Sequence, residues 1–288
     1  MRKNIALFSL AIALSALTMF TACYSSSSKA PATTPKDTTS AKTTQPATDS
    51  VSYMLPSPLQ IGSIFKNAGL TYMPGLTDSV KETSQFNSKY SEALNMGIYG
   101  ADLSYCVLNK KTQDALNYLK SLRSLAGQLG FGDVFESNSL AKRFENNLAF
   151  QDSLTSIIAD LQMNTDTYLA ANKQQYITTV AFAGAWVESM YIGSKVYAKK
   201  KSANISDRIS EQMTILDNLV KALNEDKDAD THINGLINSL RNVENTYMDY
   251  PEIKNSNPDS DQMPKLTDLH IAQLSTEIEQ LRKNFIMS

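Results

Sequence analysis

At 288 residues the chain is long enough for one or two domains. Its 27 basic and 29 acidic residues, two histidines and two cysteines exclude a nucleic-acid binder with a clustered basic face, a multi-histidine metal centre and a disulfide scaffold. A mean hydropathy of −0.27 excludes a polytopic membrane protein.

The N-terminal region differs in kind from the rest. Arg2 and Lys3 precede an apolar run from Ile5 to Phe20, and small residues follow up to Cys23. This is a secretory signal pattern, and the run is shorter than the ~20 residues a spanning helix needs. Phe20-Thr21-Ala22-Cys23 resembles a bacterial lipobox, in which small residues stand before a cysteine that becomes the lipidated N-terminus. Phe20 departs from the leucine usual at the first lipobox position; the alternative is an ordinary signal peptide with an incidental cysteine. Residues 1–22 are therefore expected to be a lipoprotein signal peptide and Cys23 the acylated anchor. Losing Arg2 and Lys3 lowers the basic count from 27 to 25 against 29 acidic residues, a balance of −4.

Half of residues 25–50 are Ser or Thr, interspersed with Pro31, Pro35 and Pro46. Such a segment buries nothing to offset its ordering entropy, so residues 23–50 read as a disordered tether with a typical span of about 30 Å. Tyr24 is not the aspartate that holds lipoproteins in the inner membrane of enterobacteria, and residues 25–30 lack an acidic surface-export run. Attachment to the outer membrane, facing the periplasm, is the expected address.

Residues 51–288 form the expected domain. Proline is absent between positions 75 and 250, which suits helices. A short helix is predicted over residues 59–68. From Val80 to Leu108, Phe86, Tyr90, Leu94, Ile98, Ala101 and Tyr105 recur at spacings of three and four, and Ser79 with Glu82 reads as the capping box at its start. Leu116, Leu119, Leu122, Ala126 and Leu129 mark the next helix, ended by the glycines at 127–132. A short helix over 140–148 and a longer one from Leu154 to Leu169 follow. Residues 176–197 are apolar almost all round, so this helix should be central, with Lys199, Lys200 and Lys201 at its cation-favouring end. Stripes from Ile205 to Leu223, Ile233 to Tyr247, and Leu266 through Leu269 to Phe285 complete an all-α antiparallel bundle of eight or nine helices. The small-residue segments at 97–102 and 181–186 can be overlaid, either as a duplicated helical unit or as two independent products of close helix packing.

The chemistry is sparse. Asp226, Asp228 and Asp230 imitate the start of a calcium loop, but Thr231 and Ile237 stand where glycine and a bidentate glutamate belong; a solvated helix connection is the better reading. His232 and His270 have no ligand-spaced partners, and Cys106 reads as a buried, inert thiol. No catalytic residue, metal or cofactor is assigned. Two carboxylates interrupt apolar, small-residue helices: Asp102 and Glu188. Burial of either needs a specific partner. A shared polar pocket, with Tyr99, Tyr105, Trp186 and Tyr191 around it, is one expectation; outward-facing or purely structural carboxylates are the other.

The motifs Gly100-Ala101-Asp102-Leu103-Ser104-Tyr105 and Gly184-Ala185-Trp186-Val187-Glu188-Ser189-Met190-Tyr191, with Arg143-Phe144-Glu145 between them, resemble a group of helical lipoproteins of Bacteroidota. The resemblance covers most of residues 51–250 and implies an envelope address, with no activity to carry over. The expected function is that of a lipid-anchored envelope protein binding another envelope protein or a small ligand. The alternative is a ligand- or cation-binding protein, or an enzyme, built on Asp102 and Glu188.

Overall fold

Pro58 starts the first helix, where its missing N–H costs nothing. Ser57 and Gln60 close a reciprocal capping box around it, Gln60 N to Ser57 Oγ at 3.2 Å and Ser57 N to Gln60 Oε1 at 2.7 Å. The computed structural model that contains this helix describes residues 55–136, 139–256 and 264–287. The signal segment, Cys23 and the tether lie outside the described residues.

The helices are α1 (Pro58–Asn67), α2 (Lys89–Leu108), α3 (Thr112–Leu129), α4 (Gly132–Glu136), α5 (Leu140–Asn146), α6 (Gln151–Ala171), α7 (Gln175–Lys200), α8 (Ala203–Glu225), α9 (Ile233–Met248), α10 (Pro251–Lys254) and α11 (Asp268–Met287). Nine of them have seven residues or more, and no strand occurs among the described residues. The protein is all-α, as the periodicity predicts. Gly130 ends α3 in the left-handed conformation, φ 92°, which glycine adopts without a Cβ penalty.

α7 is the central helix. It packs against α1, α2, α6, α8 and α11, so its buried residues run from Ile177 to Tyr197 on nearly every side. Its most extensive partner is α2. A Cβ on Gly97 would overlap the Ala181 carbonyl oxygen, and one on Gly184 would overlap that of Leu94. The two small-residue segments thus face each other, and mutual close approach accounts for their glycines.

Two expectations need correction. α2 begins at Lys89 rather than Val80; Ser88 and Ser91 cap each other's backbone, while Ser79 and Glu82 lie in a long connection containing only a 3-10 turn at Thr83–Gln85. Amides in that connection donate to side chains of α2 instead of to helical carbonyls, as described below. Leu269, assigned to the apolar stripe of α11, is 74% exposed in its first turn. The core side of α11 is Ile271, Leu274, Ile278, Leu281 and Phe285.

Candidate functional site

Asp102 on α2 and Glu188 on α7 are both fully buried and lie within hydrogen-bonding reach of each other. α11 supplies the countercharge. Arg282 donates Nε–H to Glu188 Oε2 at 2.5 Å and Nη2–H to Oε1 at 2.9 Å, the two-pronged geometry that suits guanidinium and carboxylate. Its Cζ lies 4.3 Å from the Tyr191 ring centroid, a cation–π contact. Nη2 also reaches the Leu76 carbonyl at 3.4 Å.

Asp102 Oδ2 accepts the backbone N–H of Asp78 at 3.0 Å, and its Oδ1 finds no donor among the described residues. Burial and then the nearby Glu188 charge push the Asp102 carboxyl well above the usual range, against the pull of Arg282. Burial also pushes Glu188 up, but its two bonds from Arg282 pull it back. Two carboxyls in contact can share a hydrogen bond only if one holds a proton. With Glu188 committed to the guanidinium, Asp102 is the one that holds it.

The aromatic residues expected around a common pocket serve different partners. Tyr105 Oη accepts the Met73 amide at 2.7 Å, and Tyr99 Oη accepts the Lys81 amide at 3.0 Å. With Asp102 between them, three side chains spaced by three along α2 bind amides 73, 78 and 81 in reverse order. Residues 70–82 are thereby strapped along α2. The Tyr118 hydroxyl of α3 adds a bond to the Asp78 carbonyl at 2.5 Å, and Lys81 Nζ bonds the Ile286 carbonyl at 2.7 Å. Trp186 points elsewhere, donating Nε1–H to the Gln212 carbonyl of α8 at 3.2 Å. The expected single polar pocket around Asp102, Glu188, Tyr99, Tyr105, Trp186 and Tyr191 is therefore corrected. The carboxylates converge, but into an ion-paired core, in which Arg282 holds both Glu188 oxygens and the strap holds Asp102 Oδ2.

An open cavity lies on another side of α2, between α1, α2, α6 and α7, with a volume of about 260 Å³. None of those six residues lines it. Its walls are mostly apolar, with Leu103, Leu161, Ile177 and Phe182 prominent, and Gly100 opens onto it. Among the described residues that line it, Asp166 is the one carboxylate.

The remaining candidates have structural partners. His270 Nδ1 pairs with Glu252 Oε1 at 2.5 Å, and its ring stacks on Tyr250 at 4.0 Å, which fastens α10 to α11. His232 stacks on Tyr90 at 5.0 Å and pairs with Asp230. Cys106 is buried, and burial pushes its thiol up. Asp226 accepts the Thr179 hydroxyl at 2.8 Å. No cluster of three or more metal-ligating side chains occurs among the described residues.

Sequence reasoning passes over Arg282, Asp78 and Asp166. Arg282 leaves a readable signal: it stands four residues after Ile278 and three before Phe285, on the apolar side of α11. Asp78 and Asp166 leave none, since each gains its role from a distant element. Compared with protein-family profiles, curated proteins and solved structures, the chain matches none.

Proposed function

We propose that the protein is a lipid-anchored binding protein of the cell envelope that takes a small, largely apolar ligand into the cavity between α1, α2, α6 and α7. The cavity carries this reading. An apolar cavity of ~150 Å³ takes up benzene, so by proportion 260 Å³ accommodates roughly ten non-hydrogen atoms. Pockets that are mainly apolar with a few polar groups are the usual form of small-molecule sites. The buried carboxylates Asp102 and Glu188 serve the fold instead, since Glu188 is paired with Arg282 and Asp102 Oδ2 holds the strap. Cys23 and the Ser/Thr/Pro tether of residues 23–50 supply the anchor, on the periplasmic side of the outer membrane given Tyr24 and the absence of an acidic run after it; the resemblance to helical Bacteroidota lipoproteins supports an envelope address. An envelope protein within reach of the tether is the partner class on the same reading.

A thermal-melt series tests the cavity. The neutral aromatic 2-phenylethanol should raise the melting temperature of the full chain in a dose-dependent way. Gly100→Leu, which puts a side chain into the cavity, should melt independently of the probe. A wild-type protein that shows no shift, or a Gly100→Leu variant that shifts equally, sinks the proposal.

A further inference from the structure

We infer that the ligand of this cavity carries a protonated amine on its apolar body, and that Asp166 receives it. The inference rests on the cavity being a binding site, as proposed above, and adds the chemistry of the occupant.

Asp166 lies on α6 within an otherwise apolar lining. Gln162, one turn earlier on the same helix, donates Nε2–H to both carboxylate oxygens, at 3.0 and 3.1 Å. Thr178 stands on α7, in the facing part of the wall. All three residues line the cavity. The carboxylate is thus held by a neutral donor, which orients it without cancelling its charge.

No cation among the described residues cancels it. The cavity lining contains no lysine, arginine or histidine, and Asp166 makes no salt bridge among the described residues. Asp160, six residues earlier on the same helix, pairs with Arg143 at 2.9 Å, so α6 does recruit a countercharge where its surface is open to water. A half-buried carboxylate without a cation is costly. Accordingly, burial pushes the Asp166 carboxyl above its ordinary value, against the hydrogen bonds from Gln162. A ligand ammonium would complete the site with a charge-assisted hydrogen bond in apolar surroundings, where such bonds are strong. A ligand carboxylate would meet repulsion, and a neutral alcohol would gain only an ordinary hydrogen bond. The volume sets the size at roughly ten non-hydrogen atoms, that of an aryl- or alkyl-ethylamine.

Calorimetric titration of the full chain with 2-phenylethylamine, 2-phenylethanol and phenylacetate decides the matter. The amine should bind at least about tenfold more tightly than the alcohol, as a charge-assisted bond warrants, and phenylacetate more weakly than either. Asp166→Asn, which preserves the side-chain shape, should reduce the amine-to-alcohol ratio to about two or less, since an uncharged site gives no reason for preference. Equal wild-type affinity for amine and alcohol overturns the inference but leaves the cavity a binding site. An amine preference that survives Asp166→Asn also overturns it. Absence of binding by all three probes overturns both readings. The wild-type comparison needs no variant, so the test holds even if Asp166→Asn fails to fold.

Discussion

Asp102 shows how one proton settles an arrangement that electrostatics alone would forbid. Three carboxyls, Asp78, Asp102 and Glu188, act on a single guanidinium, and Glu188 is wholly buried while the Arg282 side chain is 12% exposed. A protonated Asp102 accepts the Asp78 amide on one oxygen and can donate to Glu188 from the other. Asparagine at this position reproduces both bonds without titrating. The folded protein holds the Asp102 proton more tightly than the unfolded chain does. Between the ordinary carboxylate pKa and the raised one, the folded state therefore binds more protons. Its stability falls as pH rises through that window and levels off above it. Urea unfolding at a series of pH values should show this decline in the wild type. Asp102→Asn should flatten it and be as stable as the wild type, or more so, at pH 8. Glu188→Gln should behave in the opposite way, since it strands a buried guanidinium at a cost of about 3–5 kcal/mol. A wild-type profile that rises through the window would show that Asp102 is ionised.

Of the three glycines in the small-residue segments, Gly97 and Gly184 set the spacing of α2 and α7 and Gly100 does not. Gly97 and Gly184 each sit where a Cβ would strike a backbone carbonyl of the opposite helix, which cannot rotate away as a flexible side chain could. Gly100, one turn from Gly97, has only Pro58 Cγ nearby, at 3.8 Å. Alanine at 97 or 184 should cost about 2–3 kcal/mol in chemical denaturation, near the upper end for overpacking, and more than the ~1 kcal/mol gained in helix propensity. Alanine at 100 should instead stabilise by roughly 0.5–1 kcal/mol. Three equal effects would contradict the packing account. The overlay of residues 97–102 on 181–186 is visible in the sequence, but their contact is not, because periodicity reports which side of a helix is apolar and not which helix meets it. The misplaced start of α2 has a related cause. Ser79-x-x-Glu82 satisfies a local capping rule, while the amides nearby are claimed by Tyr99, Asp102 and Tyr105.

The whole protein, on the proposed reading, is a ligand-binding bundle held near a membrane by its N-terminus alone. Among the described residues no helix is long and apolar enough to cross a membrane, so retention in the membrane fraction should depend on Cys23. Expressed in a bacterium with lipoprotein processing, the wild type should take up labelled fatty acid and sediment with membranes. Cys23→Ala should do neither, while keeping the same melting temperature. Equal labelling of the two proteins would refute the anchor. Ligand affinity in the cavity should be indifferent to that substitution, since the described residues of α1, α2, α6 and α7 form its walls.

Helix type, the burial of α7 and the approximate extents of the longer helices were readable along the chain, because apolar spacing and the absence of proline act over a few turns. So was the suspicion attached to Asp102 and Glu188, because a carboxylate amid small apolar residues needs a reason to be there. That reason lies 94 positions from Glu188 in Arg282 and on a strap whose amides run against α2. The cavity likewise draws its walls from Leu55 to Phe182. Its carboxylate acquires meaning only once α6 and α7 enclose it without a cation. Local patterns specify which residues leave water; the partners those residues meet, and the space left between them, depend on contacts that no local pattern encodes.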